Sequence, residues 1–204
     1  MIEDFLLDDF DVGNILGKLS EFGAFSIRIL IEDFRLCLLK EAESYIYRSE
    51  QEIVGRNDKI VIQQMSTFEE FPGNSKFYNL KIAFQALLED CLKNLKPYPF
   101  HTRLLFNSMS LQRYEKGSIG ITPHRDGFKY KNLISNFNID GGGRFFTCTD
   151  RSGKGSCEIP FPPGSVLLMR APGFLGSDER PFHYVSDIQG TRYVFGLRQK
   201  VPYD

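Results

Sequence analysis

The spacing of apolar positions divides the chain near residue 99. From Ser26 to Tyr47 (SIRILIEDFRLCLLKEAESYIY), Ile27, Leu30, Ile31, Phe34, Cys37 and Leu38 recur at helical intervals with charges between them, predicting an amphipathic helix. A second helix is predicted from about Lys76 to Leu95, running through Leu80, Phe84, Leu87, Leu88, Cys91 and Leu92 and stopped by Pro97 and Pro99. Between them, IVIQQM (Ile60–Met65) predicts a strand, followed by the loop EEFPGNS. After Pro99 the pattern changes to short strands between Gly and Pro turns. They are predicted at about Leu104–Tyr114, Ile119–Pro123, Asn132–Ile139, Arg144–Thr149, Ser165–Arg170, His183–Ser186 and Arg192–Lys200. So many short strands in about a hundred residues predict a barrel or a double-sheet jelly roll, with the helices packed on the outside of one sheet. The break at Pro97–Pro99 is too short and too apolar to be a linker. The expected organisation is a single domain over 1–204, with a mainly helical layer (1–99) and a β core (100–204), an α+β chain that is mainly β.

Composition sets outer limits. At 204 residues, 42% hydrophobic and 25% charged, the chain matches the globular average and can bury a core without disulfides or a structural metal. No apolar run approaches a membrane span, and the acidic opening MIEDFLLDDFD is unlike a secretory signal. The four cysteines (Cys37, Cys91, Cys148, Cys157) form no CxxC pair and read as reduced thiols, so a cytoplasmic location is expected. The net charge of -1 conceals a split: residues 1–100 carry 11 basic and 17 acidic groups, residues 101–204 carry 14 and 9. The candidate chemistry lies in the basic half.

Only three histidines are present: His101, His124 and His183. His124 and Asp126 in ITPHRDGF are two apart, so on a strand both point to one face and can hold one ion. His183, in RPFHYVS, lies on a different predicted strand. Two imidazoles and a carboxylate on adjacent strands make the facial triad of non-haem Fe(II) oxygenases, which leaves coordination positions open. An HxD pair alone also fits a turn histidine hydrogen-bonded by its aspartate. His101, after a proline-rich helix end, reads as structural. Arg192 and Arg198 in TRYVFGLRQ are six apart, on the same side of the last strand, with small Val194 and Gly196 between them. Buried there they need anionic partners, since an unpaired buried charge is very costly, and the planar guanidinium fork suits a dicarboxylate. Protein acids at the barrel rim would serve as well.

The ordered set LQRYEKG, HRD, RPFHYVS and RYVFGLR resembles the AlkB-like branch of the Fe(II)- and 2-oxoglutarate-dependent dioxygenases over about residues 104–200. The resemblance implies a double-stranded β-helix with His124, Asp126 and His183 as iron ligands. It implies that Arg192, helped by the Tyr114 hydroxyl, pairs with the distal carboxylate of 2-oxoglutarate. Arg198 would stand near the metal-chelating carboxylate or the substrate. Gln112 occupies the place of an asparagine in the family's NxY element, and Val194 replaces a polar residue between the arginines. The implied reaction consumes O2 and 2-oxoglutarate, releases succinate and CO2, and oxidises a substrate C–H bond. The rivals are a cupin-like metalloprotein without 2-oxoglutarate and a binding module without turnover; the paired arginines oppose the first and the intact triad the second.

Substrate recognition is expected from Arg125, Phe128 and Arg198. A substrate lid is expected at about 60–78, where Phe68, Phe71, Phe77 and Tyr78 could stack a flipped base but Glu69 and Glu70 would repel phosphates. Arg125, Lys129, Lys131, Arg144, Arg151 and Lys154 surround the predicted metal end and suit an anionic substrate or an ordinary solvated rim. With no tryptophan and an acidic first half, a small-molecule or protein side-chain substrate is favoured over nucleic acid. Phe106, Phe137, Phe145 and Leu168 are read as core, and Cys148 and Cys157 are not read as ligands. No obligate protein partner is expected.

Overall fold

A computed structural model describes residues 5–7, 10–55 and 57–201, so part of the acidic N-terminal stretch lies outside it. The first half runs α1 (Val12–Phe22), β1 (Ala24–Arg28), α2 (Glu32–Glu43), β2 (Arg48–Ser49), β3 (Ile53–Val54), β4 (Val61–Ile62), β5 (Ser66–Phe68) and α3 (Lys76–Leu92). The second half is all strand: β6 (Ser108–Tyr114), β7 (Ile121–His124), β8 (Tyr130–Asp140), β9 (Arg144–Cys148), β10 (Cys157–Ile159), β11 (Ser165–Arg170), β12 (Phe182–Ser186) and β13 (Arg192–Lys200).

The strands form a seven-stranded antiparallel sheet, ordered β1-β11-β8-β13-β6-β5-β2, and a four-stranded one, β10-β9-β12-β7; β3 and β4 pair separately. The two larger sheets face each other without closing, as a double-stranded β-helix. Alternation along β8 shows how one strand serves two layers. Leu133, Phe137 and Ile139 join the core beneath the helices, whereas Ile134 joins the core between the sheets. Helix α3 covers the large sheet with Phe77, Leu80, Phe84 and Leu88, a helical repeat whose N-terminus is capped by Ser75 accepting from the Tyr78 amide at 3.0 Å. Each phenylalanine buried here contributes roughly 1.5–3 kcal/mol. Phe106, Phe137, Phe145 and Leu168 are all buried in these two layers.

Two expectations need correction, and two elements lie outside them. The helix predicted over Ser26–Tyr47 begins only at Glu32, because Ala24–Arg28 pairs along the edge of β11, with Ala24 opposite Met169 and Arg28 opposite Ser165. Sheet hydrogen bonding there overrides helical spacing, and Glu32 and Asp33 then open α2 where negative charge suits the helix dipole. The strand predicted over Ile60–Met65 is divided: Val61–Ile62 pairs with β3, while Ser66–Phe68 joins the large sheet beside β6. The polar, exposed β10 was not predicted, since its place beside β9 is set by pairing rather than by alternation. Helix α1, held by the Asp11 cap and stopped at Gly23 with φ of 78°, buries only Ile15 and Leu19 fully, too few for the periodicity to announce it. Among the described residues no helix is long and apolar enough to cross a membrane.

Candidate active site

The β7–β12 pairing sets His124 directly opposite His183, with ring centroids 4.3 Å apart. Asp126 follows two residues after His124. The ligand-capable atoms of His124, Asp126 and His183 all lie within 4.8 Å of one another, with Nε2 of His183 3.9 Å from Oδ2 of Asp126. Each imidazole is fixed from behind by the carbonyl two residues earlier in the chain. Nδ1 of His124 meets Thr122 O at 2.9 Å, and Nδ1 of His183 meets Pro181 O at 3.2 Å. With Nδ1 donating, each Nε2 keeps its lone pair directed into the site, the orientation that metal-binding imidazoles need. Asp126 is therefore not the hydrogen-bond partner of His124, and the turn-histidine reading is set aside.

Electrostatics fit the same use. Burial, reinforced by neighbouring His183, pushes His124 down to about 4, and burial also lowers His183, so both are neutral at pH 7. Burial opposes ionisation of Asp126, yet the surrounding positive charges, Arg198 foremost, hold its carboxyl below the usual range. Its Oδ2 is buried and accepts no hydrogen bond. Two lone pairs and an unpartnered anionic oxygen facing one point form the donor set of a cation site. His101 is remote from this cavity, its backbone amide bonded to Gly173 O at 2.8 Å.

The other wall comes from β6 and β13, whose register sets Arg192 opposite Tyr114, Val194 opposite Gln112 and Arg198 opposite Ser108. Arg192 is 1% exposed, and its Nε and Nη2 have no hydrogen-bond partner. No carboxylate among the described residues pairs with it; the faces of Phe161 (5.3 Å) and Tyr114 (5.8 Å) flank it instead. Burial pushes this guanidinium down to about 10. Tyr114 is also buried and its pKa raised by burial, so it stays a neutral phenol donating to Gln112 Oε1 at 3.3 Å. Gly143 makes room for Arg192, because a Cβ there would come within 3.0 Å of its Cδ and 2.8 Å of Ile188 Cδ1. Arg198 is half-buried, 5.4 Å from the Tyr130 ring, and folds back over Gly196, where a Cβ would overlap its Nη1.

His124, Asp126, His183, Gln112, Tyr114, Arg192, Val194 and Arg198 line one cavity of about 510 Å³. Sequence reasoning missed several of its walls: Ser110, Asn136, Phe161 and, as a site residue, Phe145, whose ring stacks on His183 at 5.6 Å. Asn136 Oδ1 is buried and unpartnered. The alternation of β8 was the available signal, since Asn136 shares a face with Ile134 rather than with Phe137.

The expected lid segment contributes Val61, Gln63, Met65, Thr67 and Glu69 to the cavity lining, to which Arg125 and Lys129 also belong. Its aromatics are not a stacking platform. Phe77 is fully buried, Phe68 stacks on Tyr45 at 3.9 Å, and Phe71 packs on Phe195 at 5.5 Å, all within the core under the helices. Tyr78 instead lies under Lys81. Of the expected substrate residues, Arg125 and Arg198 line the cavity, while Phe128 is 54% exposed beneath Arg180 in a neighbouring surface hollow.

No protein-family model and no curated protein matches the sequence. Solved structures do match the fold. A prolyl hydroxylase from Trichoplax adhaerens, in complex with a hypoxia-inducible-factor oxygen-degradation-domain peptide fragment, superposes with a TM-score of 0.66 at 15% identity, covering 91% of this chain and 87% of that one. A prolyl-4-hydroxylase from Pseudomonas putida gives 0.64 at 13% identity over 93% and 98%. HygX from Streptomyces hygroscopicus, with nickel and 2-oxoglutarate bound, gives 0.66 at 10% identity over 95% and 89%. At these identities the likeness is one of fold.

Proposed function

We propose that the chain is a non-haem Fe(II)- and 2-oxoglutarate-dependent dioxygenase that hydroxylates or oxidatively demethylates a small molecule or a protein side chain. The observation that carries this reading is Arg192, a buried guanidinium without a protein partner in the same cavity as the His124–Asp126–His183 cluster. A cation site and an anion site sharing one pocket suit a metal and a dicarboxylate. His124, Asp126 and His183 would hold Fe(II); Arg192 and the Tyr114 hydroxyl would bind the distal carboxylate of 2-oxoglutarate. With O2, these groups supply oxidative decarboxylation to succinate and CO2, coupled to oxidation of a substrate C–H bond.

The chain's own residues do the rest. The Thr122 and Pro181 carbonyls fix both imidazoles, and Gln112 orients the Tyr114 hydroxyl. Arg198 favours the ionised form of Asp126 and stands where a second carboxylate or the substrate would lie. Phe145, Phe161 and Val194 supply apolar wall between the polar groups of the cavity. We read 100–204 as the catalytic core, 1–99 as its supporting layer and 60–78 as the lid. The four cysteines are free thiols, as a cytoplasmic protein would keep them.

The bound 2-oxoglutarate and peptide in structures of similar fold support the cosubstrate and a peptide or small-molecule substrate. The AlkB-like affinity rests on the sequence motifs. Its nucleic-acid variant loses support because Phe77 is a core residue and Phe68 and Phe71 pack against that core. A succinate-release screen of the Fe(II)-loaded protein against metabolites, peptides and methylated oligonucleotides tests the reading. Coupled turnover on a metabolite or peptide is expected. Fe(II)-loaded protein that fails to bind 2-oxoglutarate would instead favour the cupin-like alternative.

A further inference from the structure

Twelve of the thirteen arginines lie among the described residues, and seven of them are ion-paired with an acid. The five without an ion pair are Arg125, Arg151, Arg180, Arg192 and Arg198; four of them line the cavities that hold His124, Asp126 and His183, and Arg151 lies over the ring of Phe182, next to His183. Arg192 and Arg198 belong to the cosubstrate wall. The other three stand on the opposite lip.

Arg125 lies between two of the clustered residues and lines both the inner cavity and the shallow hollow outside it. The ring of Phe182, next to His183, carries two guanidinium groups, Arg125 at 4.0 Å and Arg151 at 5.7 Å from its centroid. Nη1 of Arg151 is buried and has no hydrogen-bond partner. Arg180 donates to the Asp126 carbonyl and stacks on Phe128 at 3.6 Å. Acids of the outer hollow form no ion pair with this lip: Glu179 is taken by Arg170 at 2.7 Å, and neither Glu21 nor Asp178 reaches Arg125, Arg151 or Arg180 at ion-pair distance, although Asp178 acts on Arg180 from further away. Stacking on an aromatic face fixes a guanidinium in orientation while leaving its fork of N–H donors free at the edge, a shape matched to carboxylate and phosphate. Arg125 repels Arg180 while Asp126 and Asp178 attract it, and an oxyanion bound at this lip relieves that repulsion.

We propose that Arg125 and Arg151, held on Phe182, bind an oxyanion carried by the primary substrate, a carboxylate or a phosphate, and so present the adjoining part of that substrate to the cluster. This rests on the dioxygenase reading above.

The test uses Zn(II)-loaded protein, diamagnetic in place of Fe(II), saturated with 2-oxoglutarate and titrated with inorganic phosphate or acetate while arginine side-chain NMR signals are followed. One of the two anions should bind and shift the Arg125 and Arg151 signals, and the tighter one names the group. Arg125→Ala and Arg151→Ala should each weaken that binding about tenfold or more, the scale of one charge-assisted contact. Arg125→Lys should retain part of it, and the ion-paired Arg144→Ala should leave it unchanged. Affinity for 2-oxoglutarate should stay within about twofold throughout. Anion binding that is absent, or equal in parent and Arg125→Ala, overturns the proposal; Arg125 is exposed, so that variant should fold normally. If 2-oxoglutarate fails to bind while the anion still depends on Arg125, the lip stands and the dioxygenase reading falls.

Discussion

Arg192 offers the sharpest single test, because it makes opposite demands on folding and on binding. In the ligand-free chain its guanidinium is 1% exposed with two unpartnered nitrogens. Burial lowers it to about 10, which corresponds to roughly 3 kcal/mol of unfavourable burial at neutral pH. Replacing it by methionine, of similar length and without charge, removes that cost. For a chain of this size the ligand-free Arg192→Met protein should therefore melt roughly 6–12 °C above the parent. With the cosubstrate the order reverses. Removing one partner of a buried ion pair costs roughly 3–5 kcal/mol, two to four decades of affinity for 2-oxoglutarate. The parent should gain melting temperature with added 2-oxoglutarate and the variant should not. Calorimetric melting with and without ligand, beside anaerobic titration of the Fe(II) form, measures both effects. Arg113→Ala, which loses the ion pair with Glu115 and the contact with the Tyr47 ring but lines no wall of this cavity, is the control. A variant that melts below the parent and still binds 2-oxoglutarate within about threefold would refute the reasoning, since Arg192 would then be a structural cation.

Three further outcomes are expected. His124→Ala, Asp126→Ala and His183→Ala should each abolish tight Fe(II) binding, with His101→Ala unaffected, as measured by metal content after anaerobic reconstitution. His124 titrates near 4 when folded and near 6.5 when unfolded, so its contribution to stability is complete above about 6.5 and is lost as pH falls toward about 4. Melting of the metal-free protein should drop across that window, and His124→Gln should flatten the drop. Gly196→Ala should fold but displace Arg198, since its Cβ would overlap Nη1 and lie 2.9 Å from Asn136 Oδ1; turnover should fall more than tenfold with little change in melting, and unchanged turnover would remove Arg198 from the site.

What the sequence determined by itself was the strand-rich second half, the helix from Lys76 and the spacing of the polar groups. The strands are short, alternating and separated by Gly and Pro, and α3 carries a strong apolar stripe, so local chemistry and tertiary packing agree there. Spacing alone could set Arg192 and Arg198 on one face of β13, whereas Asp126 lies past the end of β7, so the turn after His124 and not strand alternation brings it to the cluster. Tertiary structure decided the rest. Pairing along β11 converted Ala24–Arg28 from predicted helix to strand, because backbone hydrogen bonds at a sheet edge outweigh a weak periodicity. The core beneath the helices claimed Phe68, Phe71 and Phe77, because an aromatic ring is stabilised more by burial than by waiting at a surface for a ligand. The register of β12 against β7, 59 residues apart at His183 and His124, made one cluster from distant residues. Only packing showed that Arg192 is buried without a partner while seven other arginines hold acids, for a sequence records the charge of a side chain but not what lies beside it.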